Sequence, residues 1–207
     1  MDSAQRVKPK FRRYASEVRA AMLVEAGLTC LARSGILGFT IDNICAEAGT
    51  SRGLITHHFG SKDGLLAAVY AAMYDRTLTY FAKDDGAEPD LAGLIDKLFS
   101  DPVFDRESLN VWLALWGSIS TNPVLREEHR KRYTIYRDAI ARAVDAHAGQ
   151  QGCKVDAQAI AVSCISLFDG LWLEQCIDPE LMSPSSAKAA CYRMLEPLVG
   201  PIRPAAR

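Results

Sequence analysis

This 207-residue chain lacks most of what marks a membrane protein, an exported protein or an enzyme. No uninterrupted apolar run approaches 18 residues, so no membrane span is expected. Residues Met1 to Tyr14 are polar and basic, without an apolar stretch suited to a signal peptide. The cysteines at 30, 45, 153, 164, 176 and 191 form no C-x-x-C pair and sit mostly in apolar-periodic segments. They read as reduced, buried thiols of a cytoplasmic protein, and no metal site is expected. There is no G-x-S-x-G between a strand and a helix, no H-x-x-x-H, no repeat and no low-complexity tract. No catalytic residue is assigned and no cofactor is expected.

What is present is helical periodicity, with 49% hydrophobic residues and a net charge of −1. The charge is uneven. Through Lys62 there are nine lysines and arginines against five acidic residues, a net of +4, which leaves −5 for the rest. A basic head on an acidic body suits an anionic partner for the head alone, and a solvated basic tail gives the same charge. Apolar spacing predicts an all-α chain. One helix runs from about Arg13 to Ser34, with Leu23, Val24, Gly27, Leu28 and Leu31 on one stripe and Gly35 closing it. Thr40 caps Ile41–Ala48, Ser51 caps a helix from Arg52 to His58, and Ser61 caps Lys62 to about Phe81. "KDDGAEPD" (83–90) reads as a linker. Five more helices are expected near 90–100, 105–120, 123–148, 155–176 and 182–198, with Pro102, Pro123, Pro179 and Pro184 at their boundaries. In "EEHRKR" (127–132), Glu127–Lys131 and Glu128–Arg132 are i,i+4 pairs with the acid first, which favours a solvated helix face over a nucleic-acid patch.

Two short helices about a Gly-containing turn form a helix-turn-helix pattern, which needs the first long helix for packing. Ile41, Ile44, Ala48, Leu54, Ile55 and Phe59 are then core. Arg52, Gly53, Thr56 and His57 face outward, where small polar side chains and a helix N-terminus suit phosphates and base edges. His57 and His58 point about 100° apart and cannot comfortably share a metal, so His58 is expected half-buried.

"FTIDNICAEAGTSRGLITHHFGSKDGLLAAVY" resembles the DNA-binding domain of the TetR family of bacterial transcriptional regulators, over about Arg13 to Tyr70. The sequence departs from the family at Thr56 and His58, where tyrosines are usual. The resemblance implies an all-α homodimer with a DNA-binding domain (1–60) and a helical ligand-binding and dimerisation domain (61–207). It implies a repressor released from a palindromic double-stranded operator by a small molecule. Carried onto this chain, Thr40, Thr50, Ser51, Arg52, Gly53, Thr56 and His57 form the DNA-facing set, with Lys62 on phosphate.

"NVWLALWGSI" (110–119) and "LFDGLWLE" (167–174) resemble the BetI-type branch, whose members repress choline-to-glycine-betaine genes. Trp112 and Trp116 share one helix face, as do Phe168 and Trp172; Tyr133 and Tyr136 lie on the helix between, and Asp169 interrupts an apolar run. Such rings with a carboxylate suit an organic cation, and the resemblance implies one such as choline. From the residues alone, an ordinary aromatic core, with Asp169 pairing across the dimer or capping a neighbouring helix, is the commoner arrangement of such stripes. The apolar faces of 155–176 and 182–198, including Ile160, Cys164, Leu167, Leu171, Met194, Leu195 and Leu198, predict a symmetric dimer through a four-helix contact.

Overall fold

In the computed structural model, residues 10–81 and 90–202 are described, with side chains for 16–80 and 90–202. Those residues form helices and no strand: α1 Lys10–Gly38, α2 Ile41–Ala48, α3 Arg52–Phe59, α4 Lys62–Phe81, α5 Leu91–Leu98, α6 Arg106–Ile119, α7 Pro123–Gln150, α8 Ala157–Ile177 and α9 Pro184–Val199. The basic side chains before Ala15, and the linker segment apart from Asp90, lie outside the described residues.

The helix starts follow the capping residues. Thr40 accepts from the Asn43 amide at 3.2 Å, Ser61 from Gly64 at 3.0 Å, Asp90 from Gly93 at 2.7 Å and Asp105 from Ser108 at 2.8 Å. Each side-chain oxygen satisfies an amide that the first turn leaves unbonded. Ser51 differs from expectation. It occupies the N-cap position of α3, but its side chain accepts no capping hydrogen bond.

Helix α1 also differs. Gly35 breaks it with φ 59° and ψ −157°, a backbone that favours glycine, and helical structure resumes as far as Gly38. Leu23, Leu28 and Leu31 bury their side chains, while Val24 is half-buried. A Cβ on Gly27 would lie 2.8 Å from Val69 and 3.0 Å from Phe39, so this glycine lets α1 and α4 pack closely. In α9, Pro197 falls within the last turn.

Two helices are nonetheless long and apolar on average, although neither holds an uninterrupted apolar run of 18 residues. Ser16–Gly38 and Ala157–Ile177 each hold an 18-residue window of mean hydropathy 1.4, long and apolar enough to cross a bilayer. Isolated polar residues break the apolar run in each, yet the averages stay high. In α8 the reason is visible in the packing. Phe168, Leu171 and Trp172 are buried on one side while Val162, Leu173 and Ile177 are exposed on the other.

Candidate nucleic-acid interface and aromatic cavity

The two short helices hold together through a small core. Ile44 of α2 and Ile55 of α3 are fully buried, and Ile41, Ala48, Leu54 and Phe59 pack half-buried against them. Gly49 turns the chain between the helices with φ 60° and ψ 38°, the left-handed region that glycine enters without steric cost. A closer constraint lies at the start of α4. A Cβ on Gly64 would sit 2.1 Å from the Phe59 carbonyl oxygen, so only glycine lets α4 begin directly beneath the end of α3.

This packing leaves one surface polar. Thr40, Ser51, Arg52, Gly53, Thr56, His57 and Lys62 are exposed, and Thr50 is half-exposed. Arg52 pairs with Asp42 of α2, and both side chains are mostly in solvent. Such a pair contributes little to stability and exchanges readily for another anion. No internal contact explains Gly53, since a Cβ there meets nothing within 4 Å and no positive φ occurs. The α3 backbone at Gly53 is open to solvent. His58 is half-buried, with its ring 4.8 Å from that of His57. Its pKa is lowered by desolvation, then by the neighbouring His57 and Arg19, so it is a poor cation. The charge cluster on α7 is paired internally, with Glu127, Arg130 and Lys131 in solvent and Glu128 and Arg132 half-buried. Glu128 binds Arg132 at 2.7 Å, Lys131 lies 3.9 Å from Glu127, and Arg132 also reaches Asp75 of α4.

The second feature is a narrow cleft lined by Tyr74, Thr77, Trp112, Trp116, Tyr136, Phe168, Asp169 and Trp172. Six of the seven residues expected from the sequence meet there. Tyr133 does not line it; its ring lies 5.5 Å from that of His129 instead. Tyr74 and Thr77 of α4 were not anticipated. The available signal was Tyr70, Tyr74 and Thr77 at i, i+4 and i+7, one face of a helix otherwise read as support for the N-terminal region.

The three indoles face one another. Trp112 and Trp116 are 5.9 Å apart at 27°, and Trp172 lies 6.2 Å from the first and 6.4 Å from the second. Tyr74 meets Trp112 edge-on at 5.0 Å and Tyr136 at 5.9 Å. The Trp172 indole donates to the Leu98 carbonyl at 3.2 Å, which fixes that ring. Trp112, Tyr136, Phe168 and Trp172 are thus core residues as well as cleft wall.

Asp169 is the acidic group in this wall. Burial raises its pKa to about 7. No lysine, arginine or histidine among the described residues forms an ion pair with it. A carboxyl among aromatic rings without a counter-ion is costly to ionise, and a cation arriving from outside removes that cost.

Helix α4 spans both features. Lys62 stands at its exposed start and Tyr74 lies 12 residues on, about 18 Å along the axis at 1.5 Å per residue. Between them Leu65, Leu66, Val69 and Tyr70 are buried.

Comparison with known proteins covers both features. Residues 23–69 match the family described as bacterial regulatory proteins, tetR family, and residues 87–200 match the BetI-type transcriptional repressor C-terminal family. The chain is 28% identical over 189 residues to the HTH-type transcriptional regulator BetI 2 of Chromohalobacter salexigens, covering 88% of this chain and 89% of that protein. It is 29% identical over 163 residues to BetI of Burkholderia thailandensis, covering 76% and 81%. A transcriptional regulator from Pseudomonas aeruginosa PAO1 shares the fold with TM-score 0.76 at 34% identity, over 91% of this chain and 93% of that one. A regulator from Saccharomonospora viridis, crystallised in complex with choline, superposes with TM-score 0.68 at 23% identity, over 87% and 96%.

Proposed function

This chain belongs to the TetR family of bacterial regulators and is a DNA-binding transcriptional regulator, and we propose that it is a repressor released from a palindromic operator when a small organic cation enters the aromatic cleft. The observation that carries the ligand reading is Asp169, a carboxyl without a cationic partner among the described residues, set in a wall of three tryptophans. A quaternary ammonium such as choline satisfies both parts. Its methyl groups lie against ring faces and its charge against the carboxylate, with desolvated cation–π contacts contributing about 2 kcal/mol each. The choline held by the Saccharomonospora viridis protein supports the same ligand class.

On the DNA side, Arg52, Thr56 and His57 read base edges, Thr40, Thr50 and Ser51 contact the backbone beside them, Gly53 admits close approach, and Lys62 binds phosphate. Helix α4 carries the signal, because cleft residues Tyr74 and Thr77 share one rigid helix with Lys62. A cation that spreads the rings displaces α4, and Gly64 passes that displacement to α3 through its tight seat under Phe59.

The working unit is a symmetric homodimer in the cytoplasm. Its interface is the outer face of α8 and α9, where Val162, Leu173, Ile177, Met194 and Leu198 are exposed. Cys164, Leu171 and Leu195, expected there from the sequence, are buried within the subunit and do not contribute. Dimer symmetry sets two α3 helices about 34–36 Å apart, one turn of DNA. Calorimetric titration with choline, betaine aldehyde and the neutral isostere 3,3-dimethylbutanol tests the ligand. Choline binding well above the isostere is the expected result. Equal affinity makes the rings ordinary core.

A further inference from the structure

The geometry points to effector binding as a proton exchange: a permanently charged organic cation entering the cleft displaces the acidic proton of the Asp169 carboxyl into solvent, so the protein reads cation concentration and pH together. This rests on the cation reading above and adds a condition to it.

The groups around Asp169 narrow the exchange to one site. From α4, Tyr70 and Tyr74 face it; burial pushes the Tyr74 hydroxyl up to about 12 and the Tyr70 hydroxyl higher still. From α7, Tyr136 is likewise pushed up by burial, and Glu128 and His129 stand behind Tyr70. The His129 Nδ1 is 2.7 Å from the Tyr70 hydroxyl, and desolvation lowers its pKa. From α6 come Trp112 and Trp116, and from α5 Leu98 and Phe99, none of which titrates. On α8 and α9, burial raises Cys164 and Cys191 to about 12. All these hydroxyls and thiols stay neutral through the working pH range. Glu128 is already paired with Arg132. His129 changes charge only below its ordinary value. Asp169, raised to about 7 by burial, is left as the group that changes charge near neutrality.

The chemistry then follows. In the empty cleft near pH 6 the carboxyl is mostly protonated, because an ionised carboxylate among rings has lost its water and gained no counter-ion. A quaternary ammonium supplies that counter-ion and holds no proton of its own to share. The O–H bond of Asp169 breaks, its proton passes to water, and the carboxylate remains paired with the ligand. By linkage, affinity rises about ten-fold per pH unit below about 7 and levels off above it.

Titration of the full-length protein with choline, between pH 5.5 and 8.5 and in pairs of buffers differing in ionisation enthalpy, tests this. The expected affinity is about ten-fold tighter at pH 8 than at pH 6, with close to one proton released per site at pH 6 and almost none at pH 8. Asp169→Asn binds more weakly and without that slope, whereas His129→Gln keeps it. If Asp169→Asn does not fold, proton release by the wild-type protein still decides. Choline binding with equal affinity at both pH values and no proton released overturns the exchange and leaves the cation site standing. A slope lost in His129→Gln assigns the proton to His129 and overturns it as well. No choline binding at either pH overturns both readings.

Discussion

The two functional regions of this chain are built on opposite terms. The residues proposed to face DNA are nearly contiguous, from Thr50 to His57 on one short helix and its turn, and are mostly exposed. The cleft residues come from α4, α6, α7 and α8, and six of the eight are buried. In the first region the exposed polar groups are not the groups that fold: Ile44 and Ile55 hold the helices, while Arg52, paired with exposed Asp42, and His57 lie in solvent. In the second, the same rings do both. Substitutions are therefore expected to separate binding from stability in one region and to fail to in the other.

The largest expected effect breaks the second region. Trp112→Ala removes an indole packed against Tyr70, Tyr74, Trp116 and Trp172, and costs about 3–5 kcal/mol of stability together with the effector response. Thermal unfolding and choline titration of one sample show both losses. Next come the DNA contacts. Arg52→Ala or His57→Ala weakens operator binding by roughly 1–3 kcal/mol, while stability moves by about 0.5 kcal/mol at most. Lys62→Ala weakens operator and random duplex alike and reduces the salt slope by about 1. If these variants unfold early instead, the separation between binding and folding is wrong for this region.

The division also decides what was legible in the sequence. The helix-turn-helix is a local pattern. Thr40, Gly49, Ser61 and the apolar spacing of α2 and α3 lie within about 25 residues, and turn chemistry and periodicity report on such stretches directly. The i,i+4 pairs on α6 and α8 were equally readable, but not that they face each other, because that depends on how distant helices pack. Tyr74 and Thr77 escaped for that reason, and Tyr133 was included although its side chain turns toward His129. The same limit applies to the apolar residues of α8 and α9, of which Met194 and Leu198 are exposed while Cys164, Leu171 and Leu195 are buried within the subunit. α8 is apolar nearly all round, so periodicity could not tell the inward Cys164 and Leu171 from the outward Val162 and Ile177.

Two glycines sharpen the comparison at smaller cost. Gly64→Ala drives a methyl group into the Phe59 carbonyl and forces α3 and α4 apart, a loss of about 1–3 kcal/mol in stability with operator affinity falling alongside. Gly53→Ala meets nothing inside the protein and stabilises α3 by about 0.5–1 kcal/mol, yet weakens DNA binding if the α3 backbone approaches phosphate. Unfolding midpoints and operator affinities for the pair therefore move together in the first variant and in opposite directions in the second.

A further effect concerns pH. Because burial raises Asp169 in the folded state, the empty folded protein binds more protons than the unfolded chain between about pH 4 and 7. This group's contribution to stability is present below that window and is lost as pH rises through it. Asp169→Asn removes the loss, so its unfolding midpoint exceeds that of the wild type by a few degrees at pH 8 and by less at pH 5. A difference that does not change with pH contradicts a buried, titrating carboxyl.

The central claim is that the cleft controls the DNA-reading surface, and it is tested most directly by fluorescence anisotropy on a labelled duplex from the promoter region beside the chain's own gene. The protein is bound first, and choline or 3,3-dimethylbutanol is then titrated in at constant ionic strength. Choline is expected to release the duplex and the neutral isostere to leave it bound, with Asp169→Asn indifferent to both. Release by both compounds, or by neither while calorimetry shows choline bound, contradicts the account.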